Sequence, residues 1–232
     1  MHDNLILSRA ESRAITNAFM RSVYNWMAAG LGLTAVIAFI TYPLLPEFMA
    51  RFGTTPIFVL MLVELGLVFY LSARVNKMSG AKATGVFMLY SALNGFTLTP
   101  ILYAFTATSV AGAFISTAAM FGAMSIYGLL TKRDLTGLGS FCMMGLFGVI
   151  IAMLVNLFIQ SGPFNLVINI VGVLVFVGLT AYDTQRLKEM GETVPHDDAT
   201  AVRRGTIMGA LTLYLNFINL FIMLLQIFGD RR

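Results

Sequence analysis

The sequence predicts an all-α polytopic membrane protein with seven transmembrane helices. Hydrophobic residues make up 58% of the 232 residues and charged residues only 11%, which is too apolar for a water-soluble domain of this length. A stretch of about 20 apolar residues crosses the hydrocarbon core of a bilayer, and the chain contains seven such stretches separated by short polar links. We therefore expect the lipid bilayer to be the chain's main partner.

Each span is placed where apolar residues continue over the length of a membrane helix. Residues 206–228 contain no charged residue and are long enough to cross, so we prefer seven full spans to six spans and a re-entrant last segment. The predicted domains are a cytoplasmic N-terminal segment, residues 1–21, and a single seven-helix transmembrane domain, residues 22–232. The predicted spans are residues 22–42, 56–73, 83–105, 108–130, 136–160, 164–185 and 205–228.

Basic residues are concentrated in alternate links between the spans. Twelve of the 15 lysines and arginines fall on one side of the predicted membrane, Arg51 alone falls in the links on the other, and Arg231 and Arg232 follow the last span. Cytoplasmic links carry the excess of basic residues in membrane proteins. We therefore predict a cytoplasmic N-terminus and an outside C-terminus. The same pattern accounts for the net charge of +4, which does not indicate nucleic acid as a partner.

Several chemistries lack the residues that they need. The single cysteine, Cys142, lies in an apolar run, so no disulfide framework or redox motif is present. All four lysines lie at or beyond span ends, which excludes a retinal protein. His2 and His196 both lie outside the spans, so an intramembrane serine protease and a zinc site are not expected. The sequence predicts neither an enzyme nor a stable cofactor.

Two acidic residues lie inside the predicted spans. Glu64 is in the middle of the second span, and Asp183 is near the cytoplasmic end of the sixth. A charged side chain costs about 2.5 to 3.5 kcal/mol at the membrane centre, and an ionisable residue there is by default a functional-site hypothesis. Glu64 is thus either a hydrogen-bonded packing residue or a station for ions or protons.

The last two spans carry stripes of polar side chains on one helical face. The stripe of the seventh span predicts that this helix lies inside the bundle, against polar groups of other helices, with Ser91 and Asn94 of the third span as candidates. Interhelical hydrogen bonding alone also explains both stripes. At 100° per residue, the members of each stripe lie within about 60° to 80° of one another. They are Asn169, Thr180 and Asp183 in the sixth span, and Thr212, Asn216, Asn219 and Gln226 in the seventh.

Arg74 ends the second span, at the same predicted side of the membrane as Asp183. A charge-assisted pair between the two side chains is one prediction. The alternative is that Arg74 extends to the interface without a partner.

Three segments resemble the bacterial branch of the Bax inhibitor family: YSALNGFTLTPIL at 90–102, GLTAYDTQRLK at 178–188 and GALTLYLNFINLFIMLLQIFG at 209–229. The resemblance covers nearly the whole chain. It implies six helices around a central seventh, a location in the bacterial cytoplasmic membrane and a pH-sensitive calcium leak. It also implies that an aspartate of the sixth helix faces one of the seventh, and that an arginine at the end of the second helix latches the pair.

Asp183 matches the first aspartate of this pattern and Arg74 matches the arginine, but Asn216 stands where the family has its second aspartate. Two carboxylates in contact titrate as a coupled pair, and an amide cannot. The pH sensing that the family implies is therefore in doubt for this chain. A depth count from Arg186 and Arg204 does not bring Asp183 and Asn216 together, so their contact is implied by the resemblance alone.

Two functions of different classes follow. The first is a calcium-leak channel or passive cation pathway along the seventh helix, past Asp183 and Asn216 and with Glu64, Asn219 and Arg74 as further candidates. Calcium would be a transported ion there, bound through oxygen ligands. The alternative is a regulatory membrane protein that binds a membrane-anchored AAA protease or other membrane partners.

Overall fold

The computed structural model describes residues 9–194 and 198–232, and the described chain is almost entirely helical. Side chains are described from residue 13 onward, apart from that of residue 76 and those of the gap. Eight α-helices follow one another: α1 (Arg9–Thr41), α2 (Leu45–Phe52), α3 (Thr55–Arg74), α4 (Gly80–Ala104), α5 (Ala107–Leu130), α6 (Thr136–Ile159), α7 (Gly162–Thr193) and α8 (Ala199–Phe228).

Seven of these helices are long and apolar enough to cross a membrane, which confirms the predicted fold class. They are α1 and α3 to α8, and α2 is a short helix that extends α1 after a single turn at Tyr42–Leu44. At 11 of the 14 ends, the helix and the predicted span differ by three residues or fewer. The helices run much further at the start of α1, the end of α7 and the start of α8, where the apolar window ends but the helix continues.

The polar segment of residues 186–204, with Pro195 and the pair Asp197 and Asp198, predicts a loop rather than a continuous helix. This prediction is wrong for most of the segment. Helix α7 continues to Thr193, and α8 already begins at Ala199. The last turns of α7 pack on the end of α5 and on the α5–α6 link. Gln185 Nε2 donates to the Arg133 carbonyl of the link at 2.8 Å, and Lys188 Nζ donates to the Leu129 carbonyl of α5 at 2.9 Å. Asp198 caps α8 by accepting from two backbone N–H groups. Pro195 and Asp197, which suggested the loop, lie outside the described residues.

Helix α8 is the most deeply buried of the long helices. It packs along α1, α4, α5 and α7, and Leu213, Tyr214 and Leu220 are completely inaccessible. By contrast, α6 presents an apolar surface outward, with Phe158 at 85% exposure, as expected for a helix that faces lipid. The described contacts support an interior position for α8, and its encirclement by all six other spans stays a prediction.

Close packing of α5 on α7 depends on Gly128. A β-carbon at this position would lie 2.3 Å from the Ala181 carbonyl oxygen, a distance that no side chain tolerates. Small residues of this kind let membrane helices approach closely.

The segment after α8 returns to the link between α4 and α5. Thr106 N donates to the Asp230 carbonyl at 3.1 Å, and Arg232 N donates to the Ala104 carbonyl at 3.0 Å. The Arg232 guanidinium also donates to the Tyr42 hydroxyl. The two arginines after the last span therefore lie at the end of the bundle where α1 and α4 end, which we call the outer end, and the opposite end is the inner end.

Candidate functional site

Asp183 and Asn216 meet at the buried interface between α7 and α8. Asn216 Nδ2 donates to Asp183 Oδ2 at 2.7 Å, and the two side chains are only 8% and 5% exposed. The contact that the resemblance implied is thus confirmed. The depth count missed it because it assumed that the ends of the two helices lie at the same depth. Helix α7 continues about 15 Å beyond Asp183, to Thr193, and α8 begins about 25 Å before Asn216, at Ala199, so the contact requires that the two ends are staggered.

The nearest cation along the chain is Arg186, about one turn after Asp183 on α7. Arg74 lies exposed at the end of α3, and among the residues with described side chains no ion pair joins it to Asp183. The Arg74–Asp183 pair is absent from this conformation, and the latch stays a prediction for another one.

A second polar cluster lies nearer the outer end of the same two helices. Gln226 Oε1 on α8 accepts from Asn169 Nδ2 at 3.1 Å and from Asn165 Nδ2 at 3.3 Å, both on α7. The two predicted stripes therefore face each other at two levels. Asn165 was not predicted, although its position four residues before Asn169 places both amides on one helical face.

Apolar packing separates these two polar levels. Asn216 and Gln226 are ten residues apart, about 15 Å along α8, and the buried Met223 lies between them. A β-carbon at Gly172 of α7 would lie 2.3 Å from Met223 Sδ, so the methionine occupies the space that the glycine leaves. The interface is closed at this level.

Glu64 is buried between α3 and α4, with hydrogen bonds to both carboxylate oxygens. Thr97 Oγ1 donates to Oε1 at 2.8 Å, and Asn94 Nδ2 donates to Oε2 at 3.2 Å. Asn94 in turn accepts from the Tyr214 hydroxyl of α8 at 3.1 Å, and that hydroxyl lies 2.6 Å from Thr34 Oγ1 of α1. One hydrogen-bonded network thus joins four helices.

Asn94 and Ser91, the predicted partners of the last helix, both belong to this network, but neither bonds to the polar stripe of α8. Asn94 contacts α8 through Tyr214, which lies outside the polar stripe, and the Ser91 carbonyl accepts from Thr34 at 2.8 Å. Asn219 donates to the Leu215 carbonyl of its own helix at 2.8 Å and joins neither polar level. The sequence feature that could have identified Tyr214 is its hydroxyl within an apolar span, because a buried tyrosine hydroxyl usually needs a hydrogen-bond partner.

Seven long apolar helices, with a buried acid and buried amides at their interfaces, define an integral membrane protein of the helical polytopic class. The family model described as "Inhibitor of apoptosis-promoting Bax1" matches residues 16–232. The chain belongs to this family.

Bacterial relatives cover almost the full chain. The inner membrane protein YbhL of Escherichia coli is 48% identical over 227 residues, which are 97% of each chain. An uncharacterized protein of Borreliella burgdorferi is 42% identical and covers 94% of each chain. An uncharacterized membrane protein of Streptococcus pyogenes is 40% identical and covers 99% of each.

Proposed function

We propose that this protein provides a passive pathway for cations, calcium first among them, across the bacterial inner membrane. The observation that carries the proposal is the buried contact of Asp183 with Asn216 between α7 and α8. Carboxylate and amide oxygens are the ligands that calcium prefers, and an intramembrane acid on an inward helix face is typical of an ion route. The name of the Escherichia coli relative supports the location.

The pathway would follow the α7–α8 interface and would be closed in this conformation. Its inner level is Asp183 and Asn216, and its outer level is Gln226 with the two asparagines of α7. A surface pocket at the outer end reaches Gln226, which supports this level as the outer mouth. Met223 would act as the apolar seal between the levels, because ions do not cross dry apolar packing.

Glu64 receives a structural role in this proposal. Both of its oxygens accept hydrogen bonds from α4, so the contacts favour the packing alternative over an ion station. The proposal assigns the chain no enzymatic activity.

The test is calcium flux into liposomes that contain the purified protein. Asp183→Asn removes the only acidic group at the inner level, so we expect it to lower the flux several-fold. Asp134→Asn is the matched control, because it removes one exposed carboxylate from the α5–α6 link at the same end of the molecule, and its flux should equal that of the native protein.

Two results would contradict the pathway. An Asp183→Asn protein with native flux would remove Asp183 from the mechanism. A native protein that carries no calcium at all would favour the alternative function, a regulatory protein that binds a membrane-anchored protease or another membrane partner.

A further inference from the structure

The α3–α4 link and the start of α4 pack on the start of α8 at the inner end, through contacts of Arg203 and Arg204 with Gly80, Thr84 and Met78, and each of the two segments carries two cations. Lys77 and Lys82 belong to the link and the start of α4, and Arg203 and Arg204 belong to the first turns of α8. We call these four residues the basic cluster. The Arg203 stem lies against Gly80, where a β-carbon would be 2.7 Å from Arg203 Cγ.

Both arginines are held in place through one side of the guanidinium. Arg203 Nε donates to Thr84 Oγ1 at 3.0 Å, and its guanidinium carbon lies 4.1 Å from the centre of the Trp26 ring. Arg204 Nε donates to the Met78 carbonyl. These contacts fix the orientation of each side chain. A basic residue that only determines membrane topology does not need a fixed orientation.

Among the residues whose side chains the structure describes, the terminal nitrogens of both guanidiniums have no hydrogen-bond or ion-pair partner. Asp198, the nearest described acid along α8, accepts from the backbone of Thr200 and Ala201. Two oriented guanidiniums, on neighbouring residues and held through Nε, form a site for an anion that accepts hydrogen bonds from both, and phosphate fits this geometry.

The surroundings place this site at the level of the lipid headgroups. Lys82 Nζ lies 5.8 Å from the ring centre of Tyr70, which is 41% exposed, and Trp26 lies beneath Arg203. Tyrosine and tryptophan are typical of the membrane–water interface. Phe69, next in the chain to Tyr70, is 66% exposed, as expected for contact with acyl chains. A phosphate at this depth belongs to a lipid.

We propose that the basic cluster binds the headgroup phosphate of an anionic phospholipid. Basic pockets between helices on the inner side of a membrane attract anionic headgroups. This inference does not depend on the cation pathway, because the basic cluster shares no residue with the α7–α8 interface.

Trp26 is the only tryptophan of the chain, and it lies against Arg203, so its fluorescence reports on the site. The protein is placed in phosphatidylcholine vesicles in which either phosphatidylcholine or phosphatidylglycerol carries bromine on its acyl chains. For the native protein we expect the brominated anionic lipid to quench Trp26 about twofold more strongly, since headgroup binding concentrates it there. Equal quenching by the two lipids would overturn the proposal.

The test variant is R203Q/R204Q, and the matched control is K132Q/R133Q, which removes two exposed cations from the α5–α6 link at the same end of the molecule. The excess quenching should disappear in R203Q/R204Q and persist in K132Q/R133Q. Loss of the excess quenching in both variants would indicate general charge attraction and overturn the proposal of a defined site. R204Q alone preserves the stacking of Arg203 on Trp26 and serves as the second variant. An undiminished excess in R204Q would also overturn the proposal.

A final experiment distinguishes a lipid headgroup phosphate from free inorganic phosphate as the ligand. Inorganic phosphate is added to the native protein in pure phosphatidylcholine vesicles, and we expect no change in Trp26 emission. A change that R204Q abolishes, without excess quenching by phosphatidylglycerol, would identify soluble phosphate as the ligand and overturn the lipid assignment.

Discussion

At the scale of single residues, Asn216 determines how the inner level responds to protons. Its amide donates to Asp183 at 2.7 Å and cannot ionise, so the contact contains one titratable group. A pair of carboxylates at the same distance would share a proton and titrate together. We therefore expect calcium flux through the native protein to change only weakly between about pH 6 and 8.

Asn216→Asp should introduce the missing pH response. As the pH rises, the shared proton is lost, and repulsion between two like charges should open the α7–α8 contact and raise calcium flux steeply. The measurement is liposome flux against pH at equal reconstitution. The control is the exchanged pair Asp183→Asn with Asn216→Asp, which has a single carboxylate again and should lack the steep change. A steep response in the native protein would place the sensor elsewhere, with Glu64 as the next candidate.

Comparing Tyr214 with Tyr24 measures how much the hydrogen bonds of a buried tyrosine hydroxyl contribute to the free energy of unfolding. The Tyr214 hydroxyl contacts both Thr34 and Asn94, whereas that of Tyr24 is buried with no partner in the described part of the chain. Tyr214→Phe should lower the free energy of unfolding by about 1 to 2 kcal/mol. Tyr24→Phe should not lower it. Unfolding in detergent measures both, and equal losses would contradict the hydrogen-bond explanation.

At the scale of elements, α8 makes polar contacts with its neighbours on two of its faces. Tyr214 connects it to α1 and α4, while Asn216 and Gln226 face α7. Between the two polar levels the contact with α7 is apolar and depends on the fit of Met223 against Gly172. In the proposed pathway, this element would form one wall of a closed route, and the side chain of Met223 would be its seal.

Met223→Ala should raise calcium flux several-fold, because it removes the side chain that fills the space beside Gly172. Met208→Ala is the control: it makes the same change on the same helix, nearer the inner end and outside the segment between the polar levels. Flux into liposomes is compared for the two variants. No increase for Met223→Ala, or an equal increase for both, would argue against a seal at this position.

At the scale of the whole molecule, the distribution of basic residues predicts the orientation in the membrane. The α5–α6 link lies at the basic inner end, and α2 lies at the opposite end. Lys132 and Glu47 are exposed representatives of the two ends, and Cys142 is the only native cysteine.

With Cys142 replaced by alanine, a membrane-impermeant maleimide should label Glu47→Cys in intact cells. Lys132→Cys should be labelled only after the membrane is disrupted, because the positive-inside rule places its link in the cytoplasm. The reverse pattern of labelling would invert the proposed topology.

The membrane class, the seven spans and the family could be predicted from the sequence because they depend on local properties. Hydrophobicity over about 20 residues identifies a span without knowledge of its neighbours. The ends of α7 and α8 could not be predicted in this way. Both helices continue into polar sequence. On α7, the side chains of Gln185 and Lys188 find backbone acceptors on the α5–α6 link and at the end of α5.

The sequence by itself also singled out Asp183 and Asn216 as candidate site residues, since an acid within a span and a departure from a family motif are visible without coordinates. Only the tertiary structure decided that the two touch, that Arg74 remains exposed and that Tyr214 joins α8 to Asn94. The physical reason is that such contacts depend on the tilt and rotation of each helix. Packing against neighbouring helices sets both, and no single span encodes them.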